Sequence, residues 1–174
     1  MLKHITIVCI LVLSGLQLSA QWDVSSDKDE MTGEVSAYCS SKLVSPTEHM
    51  DFPYSDVKGW LGVGCDGDSE WAYIGFTTAP NLANTETKDG YNIINTRIKF
   101  DDEVENVRMR QDWNSKFIHF AGLQSYSMKD IISKLENSNT ILLELDWYGA
   151  GKTYFRFSGS GSTRAINQIR QSCK

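Results

Sequence analysis

Apolar and polar residues alternate most regularly near the C-terminal end of the chain. Ile141, Leu143, Leu145 and Trp147 alternate with Leu142, Glu144 and Asp146, and Thr153, Phe155 and Phe157 alternate with Tyr154 and Arg156. A period of two marks a half-buried strand, so two strands are predicted here. For both apolar sets to face one core, opposed residues must have numbers summing to an even value, and the loop must hold an odd number of residues. Gly149-Ala150-Gly151 meets that condition. It sets Tyr148 opposite Lys152 and Glu144 opposite Arg156, a charge pair worth about 0.2–1 kcal/mol. Gly159-Ser160-Gly161 then breaks the strand, Ser162 is placed to cap a helix, and Ala165, Ile166, Ile169 and Cys173 recur on one helical face.

The same reading extends upstream. A polar turn over Ser25 to Gly33 leads to Val35, Ala37 and Cys39 on one face of a short strand, and residues 40–56, with Pro46 and Pro53, keep no period and are expected to form a loop. Residues 60–76 predict a hairpin around Asp66-Gly67, a pair suited to a type I′ turn. Leu61, Val63 and Cys65 then share a face with Ala72, Ile74 and Phe76. On the other face Trp60 is set against Tyr73 and Trp71 against Gly62, with Gly64 and Gly75 leaving the rings room over the backbone. Thr77 to Gly90 is expected to be a second loop. Ile94, Thr96, Ile98 and Phe100 alternate with Asn95, Arg97 and Lys99, as Val107 and Met109 do with Arg108 and Arg110. Paired with their apolar sides inward, these two strands put Arg97, Lys99, Arg108 and Arg110 on one outer face. Phe117, Ile118 and Phe120 suggest a short strand. Ser127-Met128-Lys129-Asp130 is a capping box, and Met128, Ile131, Ile132 and Leu135 trace a helix to about Asn137. With no internal repeat, residues 21–174 are expected to form one α+β domain, a mainly antiparallel sheet or sandwich with two helices near the C-terminus.

Residues 1–20 change the picture. Lys3 and His4, an apolar run from Ile5 to Leu18, and Leu18-Ser19-Ala20 have the layout of a secretory signal peptide, giving a mature chain that begins at Gln21 and has no membrane span. Its removal takes away one lysine and no acid, making the net charge of −5 one unit more negative. An acidic balance argues against general nucleic-acid binding, which needs many cations aimed at phosphates. Cys39, Cys65 and Cys173 remain, so an oxidising compartment predicts one bridge and one leftover thiol, with three possible pairings. Their spacing fits no zinc site, and no metal or cofactor is expected.

No catalytic constellation stands out. Gly149-Ala150-Gly151-Lys152-Thr153 ends like a phosphate-binding loop, but Asp146 occupies the position of the first glycine and a strand follows the lysine. Ser158 and Ser162 stand where a nucleophile elbow around Ser160 needs glycines. Asp66, Asp68 and Glu70 open like a calcium loop, but Trp71 takes the place of its glycine. His49 and His119 carry no signature of a nucleophile's base. Two features remain as candidate binding surfaces: Trp60, Trp71 and Tyr73, which could stack on sugars or anchor a protein or else pack under a loop or second layer, and Arg97, Lys99, Arg108 and Arg110, which could hold an anionic glycan or acidic partner or else form a solvated face paired locally with Asp101, Asp102 and Glu105.

Several short blocks, in order, resemble a known family. Trp22-x-Val24, Met31-Thr32-Gly33, Leu61-x-Val63-x-Cys65, Ala72-Tyr73-Ile74, Thr96-Arg97-Ile98-Lys99-Phe100-Asp101, Thr140-Ile141-Leu142-Leu143, Phe155-Arg156-Phe157-Ser158-Gly159 and Ala165-Ile166 before Cys173 look like the TagO/VasI-type accessory proteins of type VI secretion and related exported proteins of bacteria and prophages. The resemblance implies a periplasmic or secreted, non-enzymatic protein of the bacterial envelope. Its two recurrent cysteines fall on Cys65 and Cys173, which implies that pair as the disulfide and leaves Cys39 free. The expected partner is an envelope protein or glycan; the alternatives are a cell-wall hydrolase using paired carboxylates and an inhibitor of a cell-wall enzyme.

Overall fold

Ten strands and two helices make up the described part of the chain, residues 22–121 and 127–174 of a computed structural model. The signal segment expected at residues 1–20 lies outside the described residues. The strands are β1 (Trp22–Lys28), β2 (Val35–Ser41), β3 (Gly59–Asp66), β4 (Ser69–Phe76), β5 (Glu86–Lys88), β6 (Tyr91–Phe100), β7 (Glu103–Asp112), β8 (Phe117–Ala121), β9 (Thr140–Trp147) and β10 (Gly151–Ser158); the helices are α1 (Met128–Asn137) and α2 (Ser162–Ser172). All pairings are antiparallel in one sheet of order β1-β2-β3-β4-β8-β7-β6-β9-β10, with β5 alongside β6. The expected fold class is the one observed, as a single sheet rather than a two-sheet sandwich.

A long sheet twists, and this one curls into a half-barrel. Its first and last strands approach closely enough for Trp22 Nε1–H to donate to Ser158 O at 3.1 Å. The loop between β2 and β3 helps to close the gap: Val44 bridges Gly59, and Thr47 N–H donates to Tyr154 O at 2.8 Å. Inside the curl lies one continuous core in which Leu61, Ile74, Phe76, Leu143, Trp147, Phe155 and Phe157 are fully buried. The two helices cover its inner face, α2 against β1, β2 and β3, and α1 against β4 and α2.

Local chemistry explains where the helices begin. Ser127 Oγ accepts from Asp130 N–H at 3.2 Å and Asp130 Oδ2 accepts from Ser127 N–H at 2.9 Å, the reciprocal capping box the sequence predicts. The start of α2 differs from expectation. Gly161, at φ 89°, is the N-cap, while Ser162 is the first helical residue, fully buried, its hydroxyl aimed at Glu136 O at the end of α1. Gly159 is required by close approach, since a Cβ there would lie 1.8 Å from the Ser138 carbonyl oxygen.

Both predicted hairpins form, each with its register moved by two residues. The β9–β10 loop is Tyr148-Gly149-Ala150, so Glu144 opposes Tyr154 and Arg156 opposes Leu142. The expected Glu144–Arg156 pair is therefore absent, and Glu144 is bound by Arg97 from β6. In β3–β4 the turn is Gly67-Asp68, with positive φ at Gly67. Two further corrections concern extent: β1 continues through Lys28 where a turn was expected, and the second loop contains β5.

Cys65 at the end of β3 is bonded to Cys173 at the end of α2, and Cys39 is a buried free thiol. Arg170 of α2 adds a second fastening, reaching Glu70 in β4 and Glu136 in α1. Burial pushes the Cys39 thiol up to about 12, so it stays protonated and unreactive. Cleaving a bridge that spans 108 residues frees unfolded-chain entropy worth up to about 4–5 kcal/mol. Replacing Cys65 and Cys173 together by alanine should lower the urea midpoint accordingly. In the native oxidised protein Cys39 should resist alkylation until denaturant is added; rapid labelling of Cys39, or an unmoved midpoint, would contradict this account.

Candidate functional site

The site grows from strand alternation. On β3 and β4 the inward positions Leu61, Val63, Cys65, Ala72, Ile74 and Phe76 are buried, leaving Trp60, Gly62, Gly64, Trp71, Tyr73 and Gly75 outward. The observed register sets each ring directly opposite a glycine: Trp60 against Gly75, Tyr73 against Gly62, and Trp71 against Gly64. This corrects the predicted facing of Trp60 with Tyr73. Each ring occupies the space where its partner's side chain would rise, for a Cβ on Gly75 would lie 2.2 Å from Trp60, on Gly62 2.3 Å from Tyr73, and on Gly64 2.5 Å from Trp71.

Neighbouring strands widen this strip. Tyr38 of β2, opposite Gly64, packs edge-on to Trp71 with ring centroids 5.9 Å apart. Phe117 of β8 stands edge-on to both Trp60 at 5.9 Å and Tyr73 at 5.6 Å. Trp60, Trp71 and Tyr73 are half-buried, while Tyr38 and Phe117 are 37% and 41% exposed. Burial raises the Tyr73 phenol above its ordinary pKa. Sequence reasoning did not join Tyr38, Phe117 and His119 to this surface, although each stands at an outward position beside an inward apolar residue.

The cations lie on the same outer face. Hydrogen-bonded registers carry one row from Ser40 through Gly62, Tyr73 and His119 to Arg110, and Arg108 stands two residues along β7 opposite Ala121. Arg97 and Lys99 follow on β6. Lys152 and Arg156 on β10, which the sequence reading treats only as cross-strand partners of Tyr148 and Glu144, also point outward, since Arg156, Leu142 and Lys99 form one row. Six cations thus share the face of β7, β6, β9 and β10 with Asp112, Glu144 and Asp146.

Their partners differ. Arg97 holds Glu144 through two guanidinium bonds, keeping that carboxyl below the usual range, with Lys152 at 3.4 Å from the same acid. Lys99 lies 3.4 Å from Asp102. Arg110 binds Asp112 at 2.8 Å and sits 4.1 Å over the Tyr91 ring. Arg108, half-buried, and Arg156, exposed, have no ion pair among the described residues. At the Trp60 end the strip opens into a groove of about 480 Å³ lined by Ser40, Lys42, Trp60 and Lys116.

His119 is half-buried between Tyr73 and Arg110. Desolvation lowers its pKa, and Arg110 adds to this while Asp112 opposes it. His49 lies instead in a pocket of about 270 Å³ with Tyr54 and Tyr148. Among the described residues no group of three His, Cys, Asp or Glu side chains could hold a metal ion, and no helix is long and apolar enough to cross a membrane. No protein-family model, curated protein or solved structure matches the chain.

Two outcomes follow from this geometry. Gly62→Ala should cost about 1–3 kcal/mol by displacing the Tyr73 ring, and in a Tyr73→Ala background the same change should cost little or stabilise, because a glycine inside a strand is itself unfavourable. Equal costs in both backgrounds, measured by urea denaturation, would show that the ring does not rest on the glycine. For His119 the unfolded chain takes up its proton near the ordinary value of about 6.5 and the folded chain only at lower pH, so stability falls as pH drops below that value. His119→Gln should be less pH-sensitive than the parent between about pH 7.5 and 5.5.

Proposed function

We propose that this protein is an exported, non-enzymatic binding or accessory module of the bacterial envelope, and that its outer sheet face is the contact surface. The observation that carries the reading is the continuity of that face: Tyr38, Trp60, Trp71, Tyr73 and Phe117 lie side by side over glycine backbone and adjoin Arg108 and Arg110. Apolar rings gathered on a partly exposed sheet face mark a recognition surface, because aromatic anchors dominate such contacts and rings set apart in the core cannot serve there. Export and the secretion-system context rest on the character of residues 1–20 and on the resemblance to the TagO/VasI-type proteins.

A carboxylate-pair hydrolase is the competing class. It needs one carboxyl group held protonated near neutral pH, whereas backbone donors at Asp29, Ser127 at Asp130 and Arg97 at Glu144 hold these three carboxyls below the usual range. Glu70 and Glu136, which line one groove together, are both bound to Arg170. Immobilised mature protein should capture an envelope component that Trp71→Ala protein, with an unchanged circular dichroism spectrum, captures at least about tenfold more weakly. Equal capture would reject the outer face as the contact surface. Turnover of peptidoglycan that disappears with a single Asp or Glu replacement would reject the non-enzymatic reading.

A further inference from the structure

We infer that the occupant of the outer face is an acidic polysaccharide, a chain of sugar rings bearing carboxylates; this rests on the binding-module reading and names its ligand class. Two features of the face point to that chemistry jointly. The rings of Trp60, Trp71 and Tyr73 each have one side on bare backbone and are steadied by edge-on neighbours, which suits stacking against flat, weakly polar sugar faces. Cations border them at two places. Lys116 lines the groove at the Trp60 end, and Arg108 and Arg110 stand on β7 beyond the short strand that carries His119, about 10 Å from the β4 aromatics at two strand spacings.

The state of Arg108 is the most specific of these observations. It is half-buried on the face, with no ion pair among the described residues, while Arg97, Lys99 and Arg110 each have an acid at hand. A half-buried cation without a counter-charge is unfavourable and becomes favourable when a carboxylate arrives, so a neutral glycan leaves this part of the surface unused. Nucleic acid fits less well. Its affinity comes mainly from many phosphate contacts to free cations, whereas most of this face is aromatic and several of its cations are already paired with neighbours on a chain of net charge −5. A polyuronate offers both chemistries in one chain, sugar faces that stack on the rings and carboxylates that a guanidinium binds through two hydrogen bonds.

The test uses the full mature chain in affinity electrophoresis and calorimetry against three probes: polygalacturonate, neutral dextran and oligothymidylate. Polygalacturonate should bind, weaken about tenfold or more as salt rises from about 50 to 300 mM, and lose about tenfold with Arg108→Gln/Arg110→Gln at unchanged melting temperature. Trp71→Ala and Tyr73→Ala should weaken it too, and Trp71→Phe should restore most of the loss. The inference is overturned if dextran binds as well as polygalacturonate, if oligothymidylate is preferred, if the arginine variant binds normally, or if no polysaccharide binds. Should Trp71→Ala still abolish capture of an envelope component while polygalacturonate fails to bind, the ligand class is wrong and the contact surface stands.

Discussion

The structure depends on covering the inner face of a curled sheet. Strands β2, β3 and β4 turn a dense apolar surface inward, and α2 must lie on it or that surface meets water. Two unlike fastenings hold the helix there. The Cys65–Cys173 bond ties its end to the end of β3 whatever the salt concentration, whereas Arg170 ties its last turn to Glu70 and Glu136 through partly buried ion pairs that water screens only in part. Closure between Trp22 and Ser158 then brings the two edges of the sheet together on the same side. With the covering elements on the concave side, no element among the described residues covers the convex side of β2, β3, β4 and β8.

That open side is rigid for a reason rooted in its glycines. A strand-interior glycine costs roughly 0.5–1 kcal/mol relative to alanine, so Gly62, Gly64 and Gly75 weaken their strands taken alone. The opposing rings offset this by covering the exposed backbone, and edge-on pairs such as Tyr73 with Phe117 add about 0.5–1.5 kcal/mol each. Because every ring is held by the sheet and by a neighbouring ring, a ligand that contacts them need not freeze mobile side chains, which removes one of the usual costs of binding. The same contacts therefore serve folding and recognition, and the Tyr73–Gly62 pair belongs to both.

Much of this was legible in the residues, within a definite limit. Alternation assigns inward and outward faces correctly in β3, β4, β6, β7, β9 and β10, because burial enforces a period of two. A shift of two residues leaves that pattern unchanged, so it cannot fix register, and both hairpin registers were displaced by that amount. What decides between them is local: the positive φ angles at Gly149 and Gly151 that frame the β9–β10 loop, and the fit of three rings onto three glycines in β3–β4. The strand character of Ser25 to Lys28 was hidden for a related reason. These polar residues contribute little to the core, and their pairing with β2 is set by backbone hydrogen bonds.

Charge was legible only in part, since Lys99 and Arg110 meet acids two or three residues away along the chain, whereas the neutralisation of Arg97 depends on strand order. Strand β9 lies beside β6 and delivers Glu144 to Arg97, the β6–β7 turn supplies Asp102 to Lys99, and the end of β7 supplies Asp112 to Arg110. The other neighbour of β7 is β8, whose outward residues Phe117, His119 and Ala121 include no acid, and a depressed pKa keeps His119 from adding positive charge at neutral pH. Among the described residues Arg108 thus meets no acid, because the strand beside it continues the aromatic surface. The topology that extends the rings also leaves a bare cation at their border, and a ligand that engages one is brought against the other.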